Sequence, residues 1–501
     1  MARSLMILGT SSSVGKSILV TALCRIFLRR GFNVAPFKAQ NMSLNSFVTP
    51  QGHEIGRAQA VQAEAAGIPP EADMNPILLK PEADARSQVV LMGKPWRTLP
   101  AKDYYPCRDE LWKFVVESLE RLDRRYDLII AEGAGSPVEI NLQQNDVVNM
   151  RVADHLKAPV ILVGDIDRGG IFAQLLGTLW LLEPQHRALV RGLVVNKFRG
   201  DPDLFKDGND ILEARGGVPV LGIIPYLDNL GIAQEDSVYL DDHRTLGDGK
   251  LVDIVVLNLP YMSNYDDFDA LATETGVQVR FIQSVGELGD PDALILPGSK
   301  TTLADLKWLR SRNFDRALTD IIERGKSVVG ICGGYQMLGR NVRDISGVEG
   351  HGGEMTGFDL LPMRTDFSSE KSTHQVRGRV IGGSGFLANL KGVEVTGYEI
   401  HMGHSDLLSG SHPLLMITDR GGGFANIQDG CSSNEGRIWG TYLHGIFDNP
   451  GFRRAWLRSL GWEETGAGKA LSMMREEAYD RLADHVEEHL NIALIEEMID
   501  Q

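Results

Sequence analysis

Short runs of branched apolar residues recur along the first half of the chain, at 5–8, 34–37, 128–131, 160–164, 192–196 and 220–224, each followed by Gly, Asp, Asn or another polar group. Runs of this length with no polar alternation predict strands buried on both faces, the form taken by parallel sheets covered by helices. After the first run the apolar positions take a helical period up to Arg30, where Gly31 stops it. A second series begins at 252–259 and continues at 293–296, 327–331 and 436–440. The polar stretch 241–250 interrupts the pattern and marks the best boundary. Near the C-terminus Leu482, Val486 and Leu490 form an apolar stripe opposite Glu487, Glu488, Glu496 and Glu497, as in a packed helix with a solvated face. The chain reads as alternating strands and helices throughout. The expected fold class is α/β, with two doubly wound, mostly parallel-sheet domains over 1–240 and 251–450 and a helical extension over 451–501.

The first strand runs into Gly9-Thr10-Ser11-Ser12-Ser13-Val14-Gly15-Lys16-Ser17 and then a helix. Strand, glycine-rich loop, Lys-Ser and helix together predict a phosphate-binding loop. Backbone N–H groups of Gly9, Thr10, Ser13, Val14 and Gly15 would face phosphates, Lys16 would supply a point charge, and Ser17 could hold Mg²⁺. Five residues separate the glycines here, where the common form has four; the shifted spacing narrows the class.

The run at 327–331 ends in Gly330-Ile331-Cys332-Gly333-Gly334, followed by a helix-compatible segment. This is the form of a nucleophile elbow, in which glycines allow a strained turn and close approach of substrate. Cys332 is the candidate nucleophile and His444, in Gly440-Thr441-Tyr442-Leu443-His444-Gly445, its candidate partner. Backbone N–H groups near Gly298, Ser299 and Gly333 would form an oxyanion hole. Residue 446, two after the histidine, is Ile, so no carboxylate there can orient His444. Glu399 and His401, in Tyr398-Glu399-Ile400-His401, are polar enough to help, and a structural hydrogen-bond pair fits equally well.

Other strand ends of the first half are polar. Lys38, Gln40, Asn41 and Ser43 follow one; Glu132, with glycines after it, closes another; Asp165, Asp167 and Arg168 follow a third; Asn196 ends a fourth. A phosphate loop beside acidic strand ends suits Mg²⁺-nucleotide chemistry, with Ser17 and Glu132 as metal ligands and Lys38 and Asn196 near the nucleotide. Gln40, Asn41, Ser43, Asp146, Asp165, Asp167 and Arg168 are candidates for the substrate site. For Asp146, Asp165, Asp167 and Arg168 a role in caps or loops fits equally well.

Composition narrows the classes. The net charge of −16 argues against nonspecific nucleic-acid binding and against an anionic membrane surface. No apolar run approaches the ~18 residues needed to span a membrane. The four cysteines, Cys24, Cys107, Cys332 and Cys431, are far apart and show no zinc spacing. They predict a reducing, cytoplasmic setting without a disulfide framework.

These motifs carry a family resemblance. The phosphate loop resembles that of dethiobiotin synthetase-like ligases, and the half with Cys332 and His444 resembles class I glutamine amidotransferases. The second resemblance makes Tyr398 and Glu399 candidates for binding glutamine as well. With KAQNMSLNS at 38–46, EGAGSP at 132–137, GDIDRGG at 164–170, NKFRGD at 196–201, LPGSK at 296–300, GYEIHMG at 397–403 and GTYLHGIFDN at 440–449, nearly the whole chain is similar to the cobyric acid synthases. The resemblance implies a glutamine-hydrolysing, ATP-dependent amide ligase of cobalamin biosynthesis. Its substrate would be adenosylcobyrinic acid a,c-diamide, amidated at four carboxylates (b, d, e and g) through acyl phosphates, with ATP and Mg²⁺. It leaves room for a homo-oligomer, since dethiobiotin synthetase-like domains often pair across their active sites. A cobyrinic acid a,c-diamide synthase, a partitioning-type ATPase and a stand-alone glutaminase subunit are the alternatives. The NMSLNS and GDIDRGG stretches argue against the first, Cys332 and His444 against the second, and intact Lys16-Ser17 against the third.

Overall fold

The computed structural model describes residues 2–500 except 83–85, 142–145, 229, 234–244, 250, 351, 434 and 465–468. The N-terminal half is built on a six-stranded sheet, ordered Val220–Pro225, Val190–Phe198, Val160–Asp165, Arg3–Gly9, Leu128–Glu132, Val34–Phe37. Every pairing in it is parallel. The central strand explains the apolar runs. Leu5 and Ile7 enter the core on one face, Met6 and Leu8 the core on the other, all fully buried. Helix Lys16–Arg29 covers one face. The carboxyl ends of the strands deliver Gly9, Glu132, Asp165 and Asn196 to one edge, where ligands of such sheets gather.

Between the strands Val34–Phe37 and Leu128–Glu132 the chain makes an excursion. It includes helix Arg57–Ala65 and a four-stranded sheet of Gln40–Met42, Ile77–Glu82, Arg86–Leu91 and Lys94–Pro100. Ile77, Leu79, Val89 and Leu91 of this sheet pack into the first-domain core. By the period of two, Lys80, Glu82 and Gln88 lie on the opposite face. That face meets the second half of the chain: Gln88 Nε2 is 3.8 Å from Met402 Sδ, and Lys300 Nζ is 2.8 Å from Glu82 Oε1.

The second half carries a twelve-stranded sheet. Its parallel part runs Val277–Ile282, Val252–Leu257, Ala293–Leu296, Ser327–Ile331, Ile438–Thr441. Thr245–Gly247, within the polar stretch 241–250, pairs antiparallel at its edge; residues 241–244 and 250 of that stretch lie outside the described residues. Beyond Ile438–Thr441 the sheet continues through Gly423–Ser432, His412–Arg420 and the long hairpin Met363–Val380/Glu394–Leu407, antiparallel in all these pairings. The reading of alternating strands and helices throughout therefore fails between Asn341 and Ser432. These strands have one wet face and lack the continuous apolar runs that mark the parallel strands.

The C-terminal residues divide between the two halves. Helix Pro450–Ser459 buries Phe452 and Trp456 in the second-domain core. Helix Leu471–His489 returns to the first domain, where Leu482, Val486 and Leu490 join its core. Ion pairs from the first helix flank this stripe: Arg25 with Asp480, Arg29 with Asp484, and Arg30 with Glu487 and Glu496.

Candidate functional site

The phosphate loop has the conformation its glycines require. Gly15 sits at φ 98° and caps helix Lys16–Arg29. A Cβ at Gly15 would meet Asn196 Nδ2 at 2.2 Å, and one at Gly9 would meet Val14 Cγ2 at 2.6 Å and Lys16 Nζ at 2.9 Å. Ser13 adopts φ 57°. The loop is braced by Asn196 Nδ2, which donates to Val14 O (2.8 Å), and by Lys197 Nζ, which donates to Ser13 O (2.6 Å). Thr10 N donates to Val163 O at 2.9 Å. Lys16 Nζ donates to Ser11 O and Gly135 O at 2.9 and 3.2 Å, so its ammonium is folded into the loop.

Glu132 is the hub of this site. Its Oε1 accepts from Ser17 Oγ (2.8 Å) and Lys38 Nζ (2.9 Å), and its Oε2 accepts from Gln62 Nε2 (2.7 Å). Burial alone would raise its pKa, but the Lys38 ammonium and the hydrogen bonds from Gln62 and Ser17 outweigh that, and the carboxyl stays below its ordinary value. A hydroxyl and an ionised carboxylate converging beside a phosphate loop fit a hard divalent cation that keeps most of its waters or phosphate ligands. Among the described residues no group of three or more His, Cys, Asp or Glu could hold a metal ion.

A cavity of about 1180 Å³ opens from this loop. Gln40, Asn41, Asp146 and Arg168 line it along with Lys16, Ser17, Lys38 and Glu132. The other substrate-site candidates do not. Ser43 is buried, its Oγ donating to Asn45 O at 3.1 Å. Asp165 accepts from Lys197 Nζ (3.0 Å), and Asp167 pairs with Arg199 (2.9 Å). Asp146 reaches the cavity but also caps a turn, accepting from Val148 N, Asn149 N and Arg151 N. The far wall was not foreseen: it comes from Tyr265 and Asp269 of the second domain and from Met474, Arg475 and Arg481 of the C-terminal helix.

In the second domain Cys332 stands at φ 50°, ψ −107° between strand Ser327–Ile331 and helix Gly333–Leu338. That is the strained turn expected of an elbow. Its glycines are needed for approach: a Cβ on Gly334 would lie 1.9 Å from Leu296 O, and one on Gly333 2.7 Å from Ser299 N. Gly298 and Ser299 therefore flank the elbow, with Ser299 fixed by a 2.6 Å hydrogen bond to Asp305. Ser299, Gln336, His401 and Cys332 line a small pocket of about 30 Å³ whose wall includes Lys80 of the first domain.

His444 is buried and interacts with Cys332. Its Nδ1 lies 2.6 Å from Asp267 Oδ2, and Asp267 Oδ1 accepts from Gly445 N at 2.9 Å. Burial by itself would lower the imidazole pKa; the Asp267 carboxylate, with a smaller contribution from Cys332, reverses this and raises it to about 10. Asp267 thus fills the place left open by Ile446. Glu399 instead pairs with Arg420 (2.8 Å), and His401 Nδ1 lies 2.7 Å from Gly403 O while its ring stacks on Tyr442. Tyr398 stacks on His444 with centroids 5.2 Å apart and accepts a hydrogen bond from Asn264. The signal for Asp267 was present as the acidic run Asp266-Asp267-Phe268-Asp269 beyond the carboxyl end of strand Val252–Leu257.

A phosphate-loop sheet and a Cys-His-Asp elbow in one chain define a nucleotide-dependent glutamine amidotransferase. Residues 5–238 match the CobQ/CobB/MinD/ParA nucleotide binding domain, and residues 253–452 the CobB/CobQ-like glutamine amidotransferase domain. The chain is 51% identical over 506 residues to cobyric acid synthase of Dehalococcoides mccartyi, covering 100% of this chain and 99% of that one. It is 52% identical over 496 residues to cobyric acid synthase of Chloroflexus aurantiacus, covering 99% of each. The solved structure of PurLQS from Thermotoga maritima overlays at TM-score 0.30 and 17% identity, covering 42% of this chain and 99% of that one. The chain belongs to the cobyric acid synthase family. No helix among the described residues is long and apolar enough to cross a membrane.

Proposed function

We propose that this chain amidates carboxylates of a corrinoid, adenosylcobyrinic acid a,c-diamide, using ATP and ammonia drawn from glutamine. The observation that carries the reading is the cavity beyond the phosphate loop. At about 1180 Å³ it exceeds the ~300–1,000 Å³ of ordinary small-molecule sites, so a second large ligand fits beside a nucleotide. One side is apolar, with Leu227, Ile232, Met474 and Val486; Arg57, Arg475 and Arg481 add positive charge. An apolar macrocycle with a rim of carboxylates matches that surface.

A carboxylate is a poor electrophile because oxide is a poor leaving group. Attack of a substrate carboxylate oxygen on the γ-phosphorus of ATP releases ADP and forms an acyl phosphate. Lys16, at the loop, and Lys38, held by Glu132, place positive charge where negative charge develops. Ser17 and Glu132 would hold Mg²⁺, which neutralises phosphate charge when bound. Ammonia then adds to the acyl carbon, and inorganic phosphate leaves as the amide forms.

Ammonia comes from the second site. With the His444 pKa near 10, the imidazole is protonated at neutral pH and faces a sulfur whose thiolate is the attacking form. Cys332 Sγ attacks the side-chain carbonyl carbon of glutamine, and N–H groups around Ser299 and Gly333 would donate to the oxyanion. Collapse breaks the C–N bond, and the proton on His444 goes to the departing nitrogen. His444, now neutral, takes a proton from water as water cleaves the thioester to glutamate.

The test is amide formation on the a,c-diamide with MgATP, read by mass, with glutamine or with ammonium chloride. Stepwise exchange of OH for NH₂ with either nitrogen source is expected. Cys332→Ser should lose the glutamine reaction and keep the ammonia reaction. No amidation of this acceptor by the native chain would overturn the assignment.

A further inference from the structure

Asn264 precedes the short helix Tyr265–Phe268, which carries Asp267, and it lines the small pocket at Cys332. It is buried, and its backbone is left-handed at φ 53° and ψ 48°, a conformation asparagine tolerates better than most residues. Its side-chain nitrogen is fully used: Nδ2 donates to Ser46 O (3.1 Å) and to Tyr398 Oη (2.8 Å). Ser46 O is a carbonyl and can only accept, which fixes the nitrogen end of the amide. The other end, Oδ1, is buried and has no hydrogen-bond partner among the described residues. Among the described residues that line this pocket, Asn264 alone has a buried side-chain atom in that state. An amide oxygen buried without a partner is costly, and beside a reaction site it calls for a donor that arrives with the substrate.

The neighbours of Asn264 identify that donor. Strand Met262–Ser263 pairs antiparallel with Gly298–Ser299, so the chain entering Asn264 runs beside the segment that flanks the elbow. A Cβ on Gly298 would lie 2.9 Å from Ser263 Oγ and 3.3 Å from His444 Cε1. Tyr398, which accepts from Asn264, also stacks on the His444 ring. Asn264 therefore belongs to the histidine side of the elbow. With Nδ1 of His444 engaged by Asp267, Nε2 is the atom that can give a proton to the departing nitrogen. That nitrogen leaves on the histidine side, and it carries N–H groups.

We propose that Asn264 Oδ1 accepts a hydrogen bond from the side-chain nitrogen of glutamine and keeps it as that nitrogen departs as ammonia, so that Asn264 selects an amide at the elbow. The inference rests on the role given to Cys332 and His444 above. The sulfur–carbon bond forms, the carbon–nitrogen bond breaks, and the proton comes from His444; Asn264 gains and loses none. Glutamate carries an ionised carboxylate at the same position, with oxygens that only accept. Oδ1 repels that group, so the product is disfavoured where the substrate is held.

The experiment compares kcat/KM for glutamine with kcat/KM for the γ-methyl ester of glutamate. The ester acylates Cys332 by the same attack but releases methanol and has no N–H at the leaving group. Asn264→Gly suits the left-handed backbone and removes the acceptor. In it the glutamine-to-ester ratio should fall by about 5–150-fold from the native value. Asn264→Asp keeps an oxygen acceptor of the same size, and its ratio should stay closer to native. Loss of folded protein, or a displaced His444, lowers both reactions together and leaves the ratio unmoved. An unchanged ratio in Asn264→Gly overturns the proposal. An equal fall in both variants overturns it too, since both lack Nδ2 and its bonds to Ser46 and Tyr398, and not the acceptor, would then matter. If the native chain hydrolyses neither substrate, the role given to Cys332 and His444 fails, and this proposal with it.

Discussion

Asp267 holds the buried His444 imidazole at 2.6 Å through Nδ1 while its second oxygen ties down Gly445 N. The carboxylate thereby fixes both the ring and the strand-end backbone that presents it. It comes from a turn beyond the strand Val252–Leu257, far in sequence from the histidine. Asp267→Asn keeps the shape and removes the charge. Loss of the equivalent charge in a serine-protease triad costs about 10⁴-fold in kcat, and a fall of about 10²–10⁴-fold in glutamine hydrolysis is expected here. Amide synthesis from added ammonium should be spared. Steady-state assays with the two nitrogen sources check both halves.

The same pair sets a pH dependence. The folded His444 pKa, near 10, lies above the ordinary histidine value of 6.5. A proton bound more tightly in the folded state contributes stability that is complete below about 6.5 and is lost as pH rises through about 10. Glutamine hydrolysis should fall over the same upper limb, because the departing nitrogen loses its proton donor. In Asp267→Asn burial is no longer outweighed, so the falling limb should move to lower pH. pH–rate profiles and thermal melts of both proteins measure this, and an upper limb that stays fixed would count against the charge of Asp267 as its cause.

Lys16 separates the sites in the opposite sense. Its ammonium sits in the loop on Ser11 O and Gly135 O, away from Cys332. Lys16→Ala should lower amide synthesis by orders of magnitude with either nitrogen source, since a fixed positive charge is lost where phosphoryl oxygens gain negative charge. Glutamine hydrolysis should persist at its basal rate. Parallel assays of glutamate and amide formation decide it.

At the domain interface Glu54 is fully buried and accepts from Lys80 Nζ at 2.7 Å and from Lys371 Nζ of the other domain. Burial pushes Lys371 down to about 8, with Glu54 as the main group opposing the shift. Removing the shared anion leaves two buried cations side by side. Breaking a buried pair in this way costs about 3–5 kcal/mol, so Glu54→Gln should unfold at markedly lower temperature and denaturant than the native chain. Glu54→Asp, which keeps the charge on a shorter arm, should lose less.

Much of this was legible in the sequence for identifiable reasons. The phosphate loop and the elbow are local: Gly9, Gly15, Gly333 and Gly334 stand where a Cβ would collide with backbone or a neighbouring side chain, so their spacing writes the geometry into the chain. The parallel strands announced themselves because the central ones, such as Arg3–Gly9 and Val160–Asp165, are buried on both faces over most of their length. The antiparallel sheet from Met363 to Ser432 did not, because it has one wet face and reads like loop. Asp267 was illegible as a partner of His444 because the two are 177 positions apart and the strands that precede them, Val252–Leu257 and Ile438–Thr441, are separated in the sheet by two others. The burial of Lys80, Glu82 and Lys371 depends on the contact between the two domains, which no local pattern records. The C-terminal stripe was visible, but nothing in it says that its partner is the first helix of the chain.

The last expectation concerns the path of ammonia. Cys332 lies behind Ile400, whose backbone O is 3.7 Å from Sγ. Ile400 and Tyr398 pack on Val48, with Phe47 beside them, so the elbow lies beneath a contact with the first domain and not beneath open solvent. The small pocket at Cys332 is walled by Lys80 of the first domain and by Lys371, both buried. Ammonia that reached bulk water at neutral pH would be protonated and would lose its lone pair as a nucleophile. An amidotransferase elbow that closes against the ligase domain avoids that loss. Glutamine labelled with ¹⁵N in the side-chain amide, supplied with excess unlabelled ammonium near pH 7, should therefore give a product labelled mostly with ¹⁵N. If the product carries the isotope ratio of the bulk, ammonia equilibrates with solvent before it reacts, and the closed interface has no part in its delivery.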